Sequence, residues 1–402
     1  MRTRYRSALL AILACGVLLP AGCARFDDTA AGQTFTPAPV ASPESPPEVQ
    51  GPGAESGGDG KQARPGSPTT PVPPPQGCKD FDPSVITTCL DTVAAVAGLP
   101  GDGSAPSALA GERKSGRVML ATGGKDATDF AKLDVQAAGD GGLTGLAVSP
   151  SYVEDQLVFA YITTPADNRV VRFAKGQSPK PVITGIPKGA SGNRGTISAD
   201  NRGALLVATG DAGNPTAAAD PSSLAGKLLR IDTSGKAAAG NPGGSLVVAA
   251  GLHAPGGVCA SADGGRVWVT DRLADKDVLY RVQAGQPLTT PAWTWQDRPG
   301  VAGCADFADA SGFISVATSV AGNLQGVPVS KEGAVTGQPQ VRLDGRTGTP
   351  PVTFGRLAGM SMINPQLAVV GTINKDGGSP VSSDDRVVLI APTTSGGSDG
   401  KD

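Results

Sequence analysis

The chain of 402 residues contains a single histidine, His253. A mechanism that needs a histidine pair, a histidine-rich metal site, or a separate histidine base and acid has no residues to use, which excludes zincin-type chemistry. Aromatic residues make up 4% and charged residues 17% of the chain, a composition that rules out a long coiled coil. No Cys-x-x-Cys occurs, so the usual zinc and thiol-redox signatures are missing. Basic residues are not in excess, with 34 Lys and Arg against 36 Asp and Glu, and nucleic acid is not an expected partner. The apolar run from Ala8 to Pro20 is too short for a comfortable membrane span.

What is abundant is turn chemistry, with 57 Gly and 35 Pro beside 39% hydrophobic residues. Arg2, Arg4 and Arg6 ahead of the apolar run give it the form of a signal peptide. The run closes in Leu19, Pro20, Ala21, Gly22, Cys23, which resembles the lipobox of bacterial lipoproteins, although Pro20 stands where Leu is usual. The resemblance implies cleavage before Cys23 and its diacylation. Ile12 to Cys15 fits the short pattern better, but cleavage there would leave almost no hydrophobic core. Residues 24–77 hold twelve prolines with Gly, Ser and Thr and almost no large apolar side chains, so they cannot offset their ordering entropy and read as a disordered tether. Residues 393–402 read the same way. The expected organisation is a signal peptide over 1–22, a lipidated Cys and linker over 23–77, and a folded domain over 78–392. The expected location is the extracytoplasmic face of the cell membrane, reached through a diacylglyceryl anchor.

Four further cysteines, Cys78, Cys89, Cys259 and Cys304, are an even number in a chain that reads as exported, and nearest-neighbour pairing gives Cys78–Cys89 and Cys259–Cys304. A unit of turn-flanked strands recurs from Gly145, Thr196, Gly257, Cys304 and Gly359, with a weaker copy around Leu109. Taking Leu109, Val158, Val207, Val269, Val316 and Val370 as equivalent gives spacings of 49, 49, 62, 47 and 54 residues. That is the length of a propeller blade with its loops. The expected fold is all-β, a six-bladed β-propeller, with Cys259–Cys304 stapling two neighbouring blades near the axis. The one helical candidate is a short stretch around Val85 to Val96.

GGLTGLAVSPSY at Gly141, ATGDAGNP at Ala208, SLAGKLLRID at Ser223 and GLHAPGGV at Gly251 resemble, in order and spacing, elements of the glucose/sorbosone dehydrogenase family. The resemblance implies a six-bladed propeller of the kind that binds pyrroloquinoline quinone and Ca²⁺ and oxidises sugars. It also implies a histidine base 19 residues before the Asp of the GD motif; that Asp is Asp211 and the counted position is Gly192. Glycine cannot accept a proton. The family's Arg and Asn, which contact quinone and substrate, fall on His253 and Ala254. YITTPADNRVVRFAKG, VITGIPKGASGN and WTWQDRPGVAGCA, with the opening that ends in GCARF, resemble more narrowly the LppZ-type lipoproteins of actinobacteria.

The leading expectation is therefore a non-catalytic binding module of dehydrogenase ancestry, with an envelope protein or glycan as partner and neither cofactor nor metal. The alternative is a quinoprotein sugar dehydrogenase with a rearranged pocket, in which His253 and Asp211 do the chemistry. That reading needs cations around the channel for three quinone carboxylates, and Arg194, Lys227, Arg272 and Arg298 are the candidates. Asp211 also reads as a turn cap in GDAGN. Trp293 and Trp295 alternate on a strand and read as packing between blades rather than as a sugar platform. Asp376, Asp384 and Asp385 lack EF-hand spacing and read as a solvated loop.

Overall fold

The computed structural model describes residues 72–101, 104–348 and 351–392. The signal segment, Cys15, Cys23, the tether up to residue 71 and the tail from 393 lie outside the described residues.

Short buried runs separated by Gly, Asn and Asp turns form strands. The first, β1 (Val85–Thr87), precedes blade 1, which is β2–β5 (Val93–Gly98, Ser107–Glu112, Arg117–Thr122, Thr128–Lys132). Blade 2 is β6–β9 (Leu143–Val148, Val158–Thr163, Asn168–Phe173, Lys180–Ile186), and blade 3 is β10–β13 (Gly195–Ala199, Leu205–Thr209, Lys227–Ile231, Val247–Ala250). Blade 4 is β14–β17 (Pro255–Ala260, Val267–Arg272, Asp277–Arg281, Trp293–Trp295), and blade 5 is β18–β21 (Val301–Phe307, Phe313–Thr318, Leu324–Pro328, Gln340–Arg342). A hairpin, β22–β23 (Asp344–Gly348, Pro351–Thr353), leads into blade 6, β24–β26 (Leu357–Asn364, Leu367–Thr372, Val387–Ile390).

Each blade is a four-stranded antiparallel sheet, and blade 6 is completed by β1, which pairs with β26. The first strands of the blades touch in the order β2, β6, β10, β14, β18, β24 and back to β2, so six blades close one ring. The six equivalent positions taken from the repeat all lie on second strands and are completely buried. There they pack face to face between blades. Leu109 and Val118 of blade 1, for example, share one cluster with Leu143, Leu146 and Val158 of blade 2. Full burial of each such side chain stabilises by roughly 1.5–3 kcal/mol.

Near the axis the inner strands meet backbone to backbone. A Cβ on Gly257 would lie 2.7 Å from Ala302 O, one on Gly303 2.2 Å from Met360 N, and one on Gly359 2.6 Å from Ala94 O. Only glycine allows that approach. Cys259–Cys304 then ties β14 to β18 one residue or two beyond these contacts, and Cys78–Cys89 closes a loop that contains β1.

Two expectations change and a third holds. Val85 to Val96 is not helical: its β-branched ends enter β1 and β2, where Val85 pairs with Val388 and Val93 with Glu112. Asp384 and Asp385 are buried, not solvated. Asp385 accepts from the backbone of Thr92 and Asn374, while Asp384 binds Arg386 at 2.8 Å, and Arg386 in turn binds Asp80 at 3.1 Å. Together they clasp the chain's beginning to its last blade. Trp293 and Trp295 stand on the outer strand of blade 4, edge to face at 6.4 Å and packed against the cluster of Trp268, so they line no channel.

Candidate functional site

The inner strands all begin at one end of the ring, called here the upper face, and the loops gathered there carry most of the sequence's candidate residues. The loop before β10 is fixed by Asp140, whose carboxylate accepts from the backbone N–H of Gly192 and of Asn193, both at 3.1 Å. Gly192 has φ +69°, and a Cβ on it would lie 2.4 Å from Gly213 N and 2.5 Å from Asp211 Oδ1. The place counted for the family's base is thus filled by the Asp211–Gly213 turn.

Asp211 caps that turn, its Oδ1 accepting from Gly213 N at 2.7 Å, and its own N–H donates to His253 O at 2.8 Å. His253 donates its backbone N–H to Asp271 Oδ2, and Ala254 donates to Asp271 Oδ1. The Asp271 carboxyl is completely buried, and burial pushes its pKa up against the pull of His253 and the backbone donors. His253 Nδ1 lies 3.6 Å from Asp271 Oδ2, outside hydrogen-bond length but within ion-pair reach, while its side chain remains 39% exposed. Asp271 foremost, and Asp211 after it, raise the His253 pKa above its ordinary value.

Around these groups stand four arginines. Arg113 is engaged, donating to Gly139 and Gly141 carbonyls and pairing with Asp376 at 2.8 Å. Arg272 donates to Val301 O, Gly300 O and Ser319 Oγ, bridging blade 4 to blade 5, with no carboxylate in contact. Arg356 donates to Gly377 O at 3.4 Å and leaves a buried Nε without a partner. Arg194 is half-buried, and no side-chain hydrogen bond or ion pair holds its guanidinium among the described residues.

Burial lowers the Arg194 pKa, with Asp140 and Asp376 opposing and Arg113 and Arg356 assisting; Arg272 is lowered by burial and then by Arg194 and Arg356, against Asp277 and Asp271. Arg194 belongs to blade 3 and Arg356 to blade 6, opposite positions in a ring of six. Their mutual influence therefore acts across the channel axis. Three guanidinium groups with no ion pair among the described residues thus lie within electrostatic reach of one another at the upper face. Guanidinium stays protonated at neutral pH, so this face gathers positive charge that Asp140 and Asp376 near Arg194, and Asp277 and Asp271 near Arg272, offset only from beyond contact.

Of the four cations expected at the channel, Arg194 and Arg272 come together. Lys227 does not join them, because its buried ammonium donates to the carbonyls of Ala218 and Ala225 within its own blade. Arg298 is exposed on the loop between β17 and β18. Arg356, Arg113 and Asp271 were not legible beforehand. One signal existed for Arg356: like Arg194, it is the residue directly before an inner strand.

Fold and site so far define a six-bladed propeller that gathers arginines at its upper face. The chain belongs to the glucose/sorbosone dehydrogenase family, whose sequence profile matches residues 94–310. Its fold is that of an aldose sugar dehydrogenase from Streptomyces coelicolor, solved with pyrroloquinoline quinone bound, at 26% identity and TM-score 0.68, covering 79% of this chain and 99% of that one. A protein from Thermus thermophilus, titled as a putative oxidoreductase (glucose dehydrogenase), is 27% identical over 76% of this chain and 98% of its own, with TM-score 0.65. The aldose sugar dehydrogenase of Escherichia coli, solved in its apo form, shares the fold at 18% identity and TM-score 0.62, over 76% and 98% of the two chains. No curated protein matches the sequence.

The arginines suit the carboxylates of such a quinone. The other half of the site does not suit its chemistry, since the base position is closed and His253 and Ala254 replace the contacting Arg and Asn. Among the described residues no group of three or more His, Cys, Asp or Glu is placed to hold a metal.

Proposed function

We propose that this protein is a non-oxidising member of the dehydrogenase family, an LppZ-type lipoprotein that uses the upper face of its propeller to bind an anionic ligand. In this reading Cys23 carries the diacylglyceryl anchor, the Pro-rich segment holds the propeller off the extracytoplasmic membrane surface, and the ligand belongs to an envelope glycan or protein. One observation carries the proposal: Arg194, Arg272 and Arg356 lack carboxylate partners around a site whose base position is sterically filled. Buried charges are ordinarily paired, and we read arginines gathered without an ion pair as held for a ligand, even where, as with Arg272, they also bridge blades.

A second reading is a quinoprotein sugar dehydrogenase with a rearranged pocket. The adjacency of His253, Asp211 and Asp271 favours it, because a buried carboxylate behind an imidazole is the arrangement that orients a general base.

Calorimetric titration of the full chain with pyrroloquinoline quinone and Ca²⁺, and separately with citrate as a plain tricarboxylate, separates the two. The module reading expects citrate and quinone to compete for one site, both weakened at least tenfold by Arg272→Ala, and no sugar-dependent dye reduction in the quinone-loaded protein. Sugar-dependent reduction that His253→Ala abolishes would overturn it in favour of the enzyme. Failure of both ligands to bind would overturn both readings.

A further inference from the structure

The glycine contacts near the axis leave a separate space below them. A cavity of about 340 Å³, within the range of about 300–1,000 Å³ typical of ligand pockets, opens at the end of the ring opposite the arginines. All six blades contribute to its wall, from Gly98, Leu146, Ile197, Cys259, Cys304 and Met360 onward along each inner strand. The lining starts just beyond Gly145, Gly257, Gly303 and Gly359, where neighbouring inner strands approach most closely.

The chemistry of this wall differs from that of the upper face. Among the described residues it contains no aromatic ring and no Lys, Arg or His, and the one charged residue described there, Asp306, is already bound by Arg266 and by Trp268 Nε1. Its polar side chains are likewise engaged within the protein. Ser149 donates to Asp155, Ser198 to Ala199 O and Asn201 to Ser261 O, while Ser361 accepts from Gly98 N. Beside these groups the larger part of the wall is aliphatic and sulfur surface, with Met360, Met362 and the Cys259–Cys304 disulfide contributing soft, polarisable atoms that adapt to a guest's shape.

We infer that the lower mouth of the channel is a second binding site, for an uncharged and mainly aliphatic small molecule. A sugar would find no aromatic platform to stack on there, and only hydroxyls and amides that already hold a protein partner. An anion would meet no cation. Apolar walls hold water poorly and release it to an apolar guest, and the inward backbone edges of the inner strands can take the guest's single polar end. This site stands independently of the function proposed for the upper face.

The test is fluorescence titration with the neutral probe N-phenyl-1-naphthylamine and displacement by 1-decanol. The full chain would carry Cys23→Ser, so that no acyl group of its own competes. The expected result is saturable binding of one probe per chain, displaced by decanol and unaffected by Arg194→Ala. Ala262→Trp, at an exposed position on the cavity rim, should weaken it at least tenfold with an unchanged thermal midpoint. Met362→Gln, which keeps the volume and adds an amide to the wall, should weaken it several-fold and guards against a misfolded tryptophan variant. Absence of saturation, displacement by citrate but not by decanol, or loss with Arg194→Ala alongside indifference to both cavity variants would each overturn the inference.

Discussion

Arginine plays two opposite parts in this propeller. Arg386 is buried between Asp80 and Asp384 where the chain's beginning meets its last blade, and Arg266 is held between Asp306 and Asp309 at the foot of blade 4. Arg194, Arg272 and Arg356, at the upper mouth, have carbonyls, a hydroxyl or nothing for company. Desolvating an arginine costs the fold whichever end of the ring it occupies. At the clasp carboxylates in direct contact offset that cost, and at the mouth carboxylates act only from beyond contact, Asp140 and Asp376 on Arg194 and Asp277 and Asp271 on Arg272. The comparison teaches that pairing, more than burial, separates the arginines that hold this fold from those held ready by it.

The comparison breaks most visibly at the clasp. Arg386→Ala strands two buried carboxylates and should cost about 3–5 kcal/mol, as for any broken buried pair, read by chemical denaturation. Arg194→Ala should instead leave stability within about 0.5 kcal/mol of the parent, because no hydrogen bond or ion pair is lost and the attraction of Asp140 and Asp376 goes together with the repulsion of Arg113 and Arg356. If the two variants destabilised alike, the distinction would be lost.

A smaller effect is expected at the closed base position. Gly192→His should cost roughly 1–3 kcal/mol from its left-handed backbone alone, with steric displacement of the Asp211 turn added. It should restore no sugar-dependent dye reduction when quinone is supplied. Recovery of oxidation would show that the turn yields and that the site is closed by sequence only.

The smallest effect is a pH dependence. The His253 pKa is raised above 6.5 by Asp271 and then Asp211, so the protonated form is favoured in the folded protein. Its contribution to stability is complete below pH 6.5 and disappears as the pH rises through the folded value. Citrate affinity should fall across the same window, since a cation beside the arginines is lost. His253→Gln should flatten that slope while leaving the arginine-dependent binding in place.

Much of the architecture was legible because a propeller repeats its physics. Six buried positions at blade-length spacing follow from alternation and turn residues, both disulfides follow from nearest-neighbour pairing, and the structure seats them accordingly. Ring closure was not legible, since β1 is three residues long and its partner lies some 300 residues away; local apolar pattern alone suggested a helix there. The mouth was legible by halves. Arg194 and Arg272 sit inside recognisable repeats, but Arg356 belongs to a loop whose place is set by which blades face each other, and linear spacing does not encode that. Asp384 and Asp385 misled for a related reason. A Gly, Ser and Pro-rich loop looks solvated until a distant segment is seen to bring it the Thr92 N–H and the Asp80 carboxylate.

The Cys78–Cys89 loop encloses the whole of β1. Tension arriving along the backbone from the N-terminal side of Cys78 therefore crosses the disulfide directly to Cys89 and on into β2, bypassing the three residues that seal the ring. Mechanically the closing strand is a slack branch in parallel with a covalent link. A pull on the leading segment loads sulfur and not the hydrogen bonds of β1, so the ring stays sealed at forces that would otherwise peel it open from its shortest strand.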